Sequence, residues 1–361
     1  MNTELDWSNL SFGYLPTDYN VRCRYADGKW GEIEVSQSDT INIHMAATAL
    51  HYGQEIFEGL KAFRGKDGKI RIFRLEENAR RIRSSAEGIK MQPVPEELFR
   101  EMVEKVVKLN ARFVPPYGSG ASLYIRPIEL GMSAQIGVHP SSEYLFMVMV
   151  TPVGPYFKEG FRPTNICIMR EFDRVAPKGT GRWKVGGNYA ASLEAGERAH
   201  ELGYSAVLYL DPKEKKYVDE CGPANFFAVK NGTYITPASE SILPSITHKS
   251  LMQLARDMGI PVEERHIPIE ELAEIDEAGA CGTAAVASPV AEIHDIDTGV
   301  KYIVAKDGEP GPVTTALYNK LRAIQLGEEP DVHGWNTIIA EESHAHHTRA
   351  AHSRQILSRR L

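Results

Sequence analysis

The sequence predicts a two-domain chain of the α+β or α/β class, and three observations carry that prediction. Its 361 residues exceed one ordinary small domain and suit two of common size. Stretches with strand-like apolar runs take turns with stretches whose apolar residues recur at three and four. Between two such blocks, residues 151–163 (T-P-V-G-P-Y-F-K-E-G-F-R-P) hold three prolines and two glycines, the best candidate for a linker. The expected division is a small α/β domain over 1–150, an interdomain loop over 151–163, a larger domain over 164–338 and a polar tail over 339–361.

Each element has a local reason. K-A-F-R-G-K-D-G-K-I-R-I-F-R is punctuated by Gly65 and Asp67-Gly68 and reads as a hairpin. Leu75, Ala79, Ile82, Ala86 and Ile89 recur at steps of four and three, the apolar face of one helix. A second helix starts near Pro95, with proline and acids in its first turn and Leu98, Met102, Val106 and Leu109 as its stripe. Strands follow in A-S-L-Y-I-R-P-I-E-L and E-Y-L-F-M-V-M-V, the second apolar throughout, as in a buried strand. Beyond the linker, N-I-C-I-M-R-E-F and S-A-V-L-Y-L are strand-like. F-F-A-V-K-N-G-T-Y-I-T turns at Asn231-Gly232, and L-M-Q-L-A-R-D-M-G ends with Gly259 at a C′ position and Pro261 beyond.

Bulk composition excludes several classes. Hydrophobic residues at 42% and charged residues at 25% allow a sizeable core. A formal net charge of −7 does not suit a chain built to neutralise nucleic-acid phosphates. Cys23, Cys167, Cys221 and Cys281 form no C-x-x-C pair, so neither a disulfide framework nor a cysteine zinc site is implied. The start M-N-T-E-L-D-W lacks a basic and apolar leader, and no apolar stretch approaches a bilayer span of about 20 residues. A cytoplasmic protein is expected. The tail, with His344, His346, His347 and His352, reads as a solvated or disordered segment, and no metal is assigned.

Several constellations could carry chemistry. G-T-G-R-W-K-V-G-G-N-Y-A sets Lys184 among glycines, where a backbone can lie close to a flat ligand. A desolvated lysine loses its proton and attacks a carbonyl. Taken alone, most such lysines are solvated surface groups. Glu220, in Y-V-D-E-C-G-P, could face a protonated heterocycle nitrogen; since it alternates with Asp219, one of the two should point outward. L-P-S-I-T-H-K-S-L-M opens a helix whose first amides make an anion site, although Ser245 or Thr247 could serve as an N-cap only. Gly282-Thr283-Ala284 is a small-residue turn where amides can approach an oxyanion. Arg74, Arg80, Arg81 and Arg83 share a helix, and only one of them need point inward. Tyr124 and Arg126 leave the same face of a strand and could frame a carboxylate. His44 and His51 match no metal pattern and read as structural.

Weak singly, these pieces resemble in order and spacing the branched-chain aminotransferases of the fold-type IV pyridoxal-phosphate enzymes. The matching stretches are A-L-H-Y-G-Q-E-I-F-E-G-L-K-A-F-R-G, L-Y-I-R-P, V-G-P-Y-F, K-V-G-G-N-Y, D-E-C-G-P-A-N-F-F, I-L-P-S-I-T and G-T-A-A, between about residues 42 and 336. The resemblance implies the D-amino acid aminotransferase-like architecture with pyridoxal 5'-phosphate as cofactor, held by the larger domain. It implies transamination of leucine, isoleucine or valine with 2-oxoglutarate, giving glutamate. Lys184 resembles the Schiff-base lysine, Glu220 the partner of the pyridinium nitrogen, and Tyr189 the partner of the ring's phenolic oxygen. Arg81, Ile246-Thr247 and Thr283 match the phosphate cradle. Phe57, Tyr124, Arg126 and Tyr156 match the walls of the substrate pocket, and the amides at Thr283-Ala284 its carboxylate site. In the family Tyr52 reaches the site from a partner subunit, which implies a homodimer.

The chemistry accounts for these residue types. The cofactor does the electronic work and the protein orients and tunes it; a freed Lys184 is the base for the α-proton, and an ionised Glu220 keeps the pyridine nitrogen protonated. The C-x-x-C of animal members is replaced by Ala285 and Ser288, so thiol regulation of that kind is not expected. D-amino-acid aminotransferases and aminodeoxychorismate lyase, which share the lysine and the cradle, are the alternatives within the fold. A non-catalytic pyridoxal-phosphate binder is the alternative of another class.

Overall fold

The computed structural model describes residues 5–154 and 160–340. Among them the chain forms two nine-stranded sheets. The first runs, edge to edge, through Asn336–Ile339, Ile70–Phe73, Leu60–Arg64, Ser122–Gly131, Tyr144–Val153, Asn20–Ala26 and Lys29–Trp30. Glu34–Ser36 pairs with Asn20–Ala26, and the short strand Glu55–Phe57 pairs with Ser122–Gly131. All its pairings are antiparallel, as hairpin-rich connectivity allows.

The hairpin at 61–74 turns through Asp67 and Gly68 (φ 78°), with Asp67 accepting from the Lys69 amide and pairing with Arg71. The helices Leu75–Gly88 and Glu96–Leu109 cover one face of the sheet. Each carries two glutamates in its first turn, where the helix dipole favours negative charge. The first buries Leu75, Ala79, Ile82 and Ala86, as the period predicts. In the second the stripe is rotated: Phe99, Met102, Val103, Val106 and Val107 are buried, while Leu98 and Leu109 sit at its rim. The helix packs over a sheet wider than one stripe, so the core recruits both neighbouring rows.

The second sheet runs through Leu208–Leu210, Val218–Cys221, Ala224–Lys230, Glu277–Gly282, Val286–Asp295 and Lys301–Ile303. Thr233–Pro237 flanks Ala224–Lys230, and Thr164–Ile168 lies parallel to Val286–Asp295. Asn231 and Gly232 both take positive φ at the predicted hairpin turn. The helix Ile246–Asp257 is capped by Ser245, whose Oγ accepts from the His248 amide, and ends in Gly259 at φ 73°.

A third apolar cluster joins the sheets. Phe63, Phe73 and Trp335 from the first side pack with Phe227, Tyr234, Leu251, Leu317 and Leu321 from the second. Each fully buried side chain of this size stabilises by about 1.5–3 kcal/mol. After the helix Pro312–Leu326, the chain returns to the first sheet through Asn336–Ile339, and Ile339 is buried there. Residues 341–361, with the histidine-rich segment, lie outside the described residues.

Candidate active site

The site is assembled where the loop after residue 180 meets the first sheet. Three backbone contacts pin Lys184: its carbonyl accepts from the Phe57 amide (3.1 Å), its amide donates to Ser85 Oγ (3.0 Å), and Val185 bridges to Ile56. Trp183 lies flat on Gly88, where any side chain would collide with its ring. So fixed, Lys184 sends its ammonium into a recess, 2.7 Å from Tyr189 Oη and over the rings of Phe57 (4.6 Å) and Tyr189 (4.9 Å). Desolvation there, helped by the charge of Arg81, depresses its pKa to about 7. Burial drives the Tyr189 hydroxyl well above its usual range, so it remains a proton donor.

Glu220 is buried on the central part of the second sheet, 2.8 Å from Arg174 Nε and 3.4 Å from the Leu243 amide. Burial raises its pKa to about 7 against the pull of Arg174. The expectation that either Asp219 or Glu220 points outward is corrected: both are buried, because Val218–Cys221 is enclosed on both faces.

Arg81 enters from the helix Leu75–Gly88 and is held by Glu58 through two bonds of 2.7 Å, with a third to the Pro244 carbonyl (3.2 Å). Arg80 and Arg83 are exposed, but Arg74 is also turned inward, over Trp335, so two of the four arginines face in. The Arg81 contact leads to the helix start at Ile246-Thr247, where both residues are buried. Their amides belong to a first turn that has no intrahelical acceptors. Asn225 Nδ2 steadies the same turn through the Leu243 carbonyl (2.9 Å).

The Thr283-Ala284 turn joins Glu277–Gly282 to Val286–Asp295. Val286 takes φ 68°, a left-handed conformation that costs a β-branched residue about 1–3 kcal/mol. Lys61, buried and opposite Tyr124 in the first sheet, donates to the Ala284 carbonyl at 2.7 Å. Tyr124 Oη packs over Gly59 and accepts from Arg126 Nη2 (3.1 Å). The Arg126 guanidinium lies 4.8 Å from the Phe57 ring, and its Nε is buried with no acceptor among the described residues. Beside them opens a cleft of about 240 Å³ lined by Phe12, Tyr14, Tyr124, Arg126 and Met149.

Lys184, Tyr189, Arg81, Glu220, Phe57, Tyr124 and Arg126 thus share one recess, tied to the Ile246 and Ala284 turns. Tyr52 does not join them. It is exposed, and its hydroxyl donates to the Ile136 carbonyl. Tyr156 lies outside the described residues. His44 and His51 make local contacts only: Nδ1 of His44 accepts from the Ala46 amide, and Nε2 of His51 bonds the Met45 carbonyl. Sequence reasoning missed Phe12, Glu58, Lys61 and Arg174. Glu58 and Lys61 lay inside a matching stretch, but no role was assigned to either.

Residues 55–293 match the family described as amino-transferase class IV. A branched-chain-amino-acid aminotransferase of Haemophilus influenzae is 47% identical over 339 residues, which is 92% of this chain and 98% of that protein. The crystal structure of Escherichia coli branched-chain amino acid aminotransferase superimposes with a TM-score of 0.74 at 27% identity, covering 90% of this chain and 100% of that one. A branched-chain amino acid aminotransferase from T.th., solved with pyridoxamine 5'-phosphate, gives a TM-score of 0.74 at 28% identity, over 88% of this chain and 98% of that one. The same T.th. enzyme is also solved with 4-methylvaleric acid and with N-(5'-phosphopyridoxyl)-L-glutamate.

Proposed function

We infer, for a chain that belongs to the amino-transferase class IV family, that the recess around Lys184 moves amino groups between branched-chain L-amino acids and 2-oxoglutarate. The enzyme is a pyridoxal-phosphate-dependent branched-chain-amino-acid transaminase. One observation carries the site reading: a lysine with its pKa brought to about 7 points its amine into a recess that also holds a buried glutamate and an arginine beside a helix start.

The residues suit the cofactor. The open first-turn amides at Ile246-Thr247, with Arg81 beside them, match a phosphate. Glu220 reserves one carboxylate oxygen: Oε2 faces Arg174 and Leu243, while Oε1 makes no hydrogen bond among the described residues. When bound, pyridoxal phosphate supplies an electron sink that acidifies the substrate's α-proton. Lys184 would hold the group through Nζ and, once released, take and return that proton at the same atom. Its lowered pKa keeps the amine largely unprotonated just above neutrality, as a base requires. Tyr189 Oη, kept protonated, would donate a hydrogen bond to the bound group. Glu220 is the anionic partner for a protonated ring nitrogen, and such a pairing would draw its own pKa down. Amides at Thr283-Ala284 and Tyr124 receive the substrate's α-carboxylate, while Phe57 and Arg126 face its side chain.

We assign a homodimer on the surface around Tyr52. Met45, Leu50, Ile136 and Val138 are exposed apolar residues near it, and such exposure suits a second copy of the chain. Its own site lacks Tyr52, which the partner would supply. The division at 151–163 remains our proposal for the interdomain loop, with Thr151 to Val153 still part of the strand Tyr144–Val153. The four free, buried thiols suit a reducing compartment, and we assign the cytoplasm.

The test is spectroscopic and kinetic. Protein loaded with pyridoxal phosphate should show a visible band that shifts on adding L-leucine, and Lys184→Ala should lose both the shift and turnover. In a donor panel with 2-oxoglutarate, L-leucine, L-isoleucine and L-valine should yield glutamate. Preference for D-alanine would overturn the substrate assignment, and turnover retained in Lys184→Ala would overturn the mechanism.

A further inference from the structure

Glu55 and Phe57 are two residues apart on one short strand, so their side chains leave the same face. That strand pairs with Ser122–Gly131 in the register Glu55 to Leu130 and Phe57 to Ile128. Arg126 lies on the same face of the paired strand and covers the Phe57 ring. On the other side the Glu55 carboxyl group rests on Gly186, two residues beyond Lys184. A Cβ at Gly186 would meet Glu55 Oε1, so a side chain there would push the carboxyl group out of its present place. Glu55 therefore fills the space between the Lys184 loop and the Arg126 strand.

Its carboxylate accepts no hydrogen bond among the described residues. Burial raises its pKa, and the charge of Arg126 lowers it in part. Other ionisable groups on the elements packed against this strand are Tyr124 and, on the opposite face, Glu129 from the paired strand. Lys184 and Tyr189 come from the segment that carries Gly186. The helix Leu75–Gly88 brings Arg81, whose guanidinium is already held by Glu58. Among the described residues Arg126 is thus the cation whose charge acts on Glu55, and its Nε has no acceptor of its own there.

We propose that Glu55 is a specificity-determining residue: it is the built-in counter-anion of Arg126 when an apolar side chain fills the pocket, and it competes with the distal carboxylate when a dicarboxylate binds. This rests on the proposed function, in which Arg126 faces the substrate's side chain and therefore the distal carboxylate of a dicarboxylate. The side chain of a branched-chain substrate brings no charge to this guanidinium, and a partly buried guanidinium without an anion is costly. Glu55 meets that need. A dicarboxylate brings a second anion to the same guanidinium, and two close carboxylates do not both stay ionised at low cost. Glu55 then takes a proton from solvent, and the pocket holds one net carboxylate in either case. Dicarboxylate binding is therefore coupled to proton uptake, and branched-chain binding is not.

The experiment is titration calorimetry of the holoenzyme with glutarate and with 4-methylvalerate, in buffers of different ionisation enthalpy, from pH 6 to 9. The ratio of the two affinities isolates the second carboxylate, because any group that acts on the shared carboxylate cancels. In the wild type the glutarate preference should fall with rising pH, by at most about tenfold per pH unit, with measurable proton uptake. Glu55→Gln, which keeps the shape, should bind glutarate about tenfold tighter at pH 8, lose the uptake and bind 4-methylvalerate more weakly. Unchanged glutarate affinity and uptake in Glu55→Gln would overturn the proposal. Arg126→Leu separates the two levels. A collapse of glutarate binding there, with Glu55→Gln behaving as wild type, sinks the role of Glu55 alone. Wild-type glutarate binding in Arg126→Leu removes the Arg126 reading, and the proposal falls with it.

Discussion

The two sides of the recess are built differently. On the cofactor side the charged side chains are paired within the protein, Arg81 with Glu58, Glu220 Oε2 with Arg174 and Lys184 with Tyr189, and what stays open is Glu220 Oε1 and the amides at Ile246-Thr247. On the substrate side they are left open. Arg126 Nε has no acceptor among the described residues, Glu55 accepts no hydrogen bond there, and Tyr52 faces away from its own site. A group that stays through both half-reactions can be held by a fixed, mutually satisfied frame. A pocket that must accept a hydrocarbon and then a carboxylate cannot be satisfied in advance for both. Rigidity is placed where the ligand is constant, and unmet polarity where it alternates.

The strongest way to break this contrast is at Glu220. If the cofactor side is a preorganised electrostatic frame, Glu220→Gln should retain bound pyridoxal phosphate, since Arg81 and the Ile246-Thr247 turn are untouched. Removal of the α-proton from L-leucine should slow by about 100- to 1,000-fold, the scale for losing one preorganised charge. Single-turnover absorbance with α-deuterated leucine reads that step, and the isotope effect should rise as it becomes limiting. A wild-type rate would detach Glu220 from the chemistry.

Lys61 tests the seam between the two sides. Its ammonium donates to the Ala284 carbonyl, in the turn whose amides we assign to the substrate carboxylate. A hydrogen bond from a charged donor contributes about 1.5–3 kcal/mol, so Lys61→Met should raise KM for every carboxylate substrate roughly tenfold or more, with kcat less affected. Burial, then the charge of Arg322, brings the Lys61 pKa down to about 7. Its positive charge is present below that pH and lost above it, so affinity for mono- and dicarboxylates alike should decline as pH rises through about 7. In Lys61→Met that shared slope should vanish. A slope confined to dicarboxylates belongs to Glu55 instead, and a slope that survives in Lys61→Met shows that Lys61 acts as filler alone.

The same contrast explains what could be read from the sequence. The cofactor side was legible because its residues sit in contiguous motifs with a chemical reason for each type: glycines around Lys184, a capped helix start at Ser245, a small-residue turn at Thr283. The hairpin turns at Gly68 and Asn231-Gly232 were legible because positive φ restricts the residue choice. Phe12, Glu55, Glu58, Lys61 and Arg174 were not, because a single charge or ring carries no local sign of which distant segment folding will bring against it. The burial of Asp219 was missed because alternation presumes one wet face, and this strand has none. The rotated stripe of the helix Glu96–Leu109 has a similar cause, since periodicity locates a face but not how much of it the sheet covers. The return of Asn336–Ile339 to the first sheet, beside Ile70–Phe73, depends on contacts between distant parts of the chain, which no local pattern encodes.

The smallest expected effect is at Phe12, on the open side. This residue comes from the segment before the first long strand, which is fastened by Thr151 to Leu15 in both directions and by Thr17 to the Val150 carbonyl. Phe12 meets Tyr124 edge-to-face at 5.2 Å and lines the cleft beside Arg126. Such an aromatic pair is worth about 0.5–1.5 kcal/mol beyond its burial. Phe12→Ala should therefore raise KM for L-leucine by roughly two- to tenfold. Phe12 is 44% exposed, so the global fold should hardly feel its loss, and Tm should move by little. The cofactor band should also be unchanged, because the contacts that hold Lys184, Glu220 and Arg81 come from other segments of the chain. A shifted band or a large drop in Tm would mean that the N-terminal segment supports the frame as well as the pocket, and the division into a closed side and an open side would have to be redrawn around it.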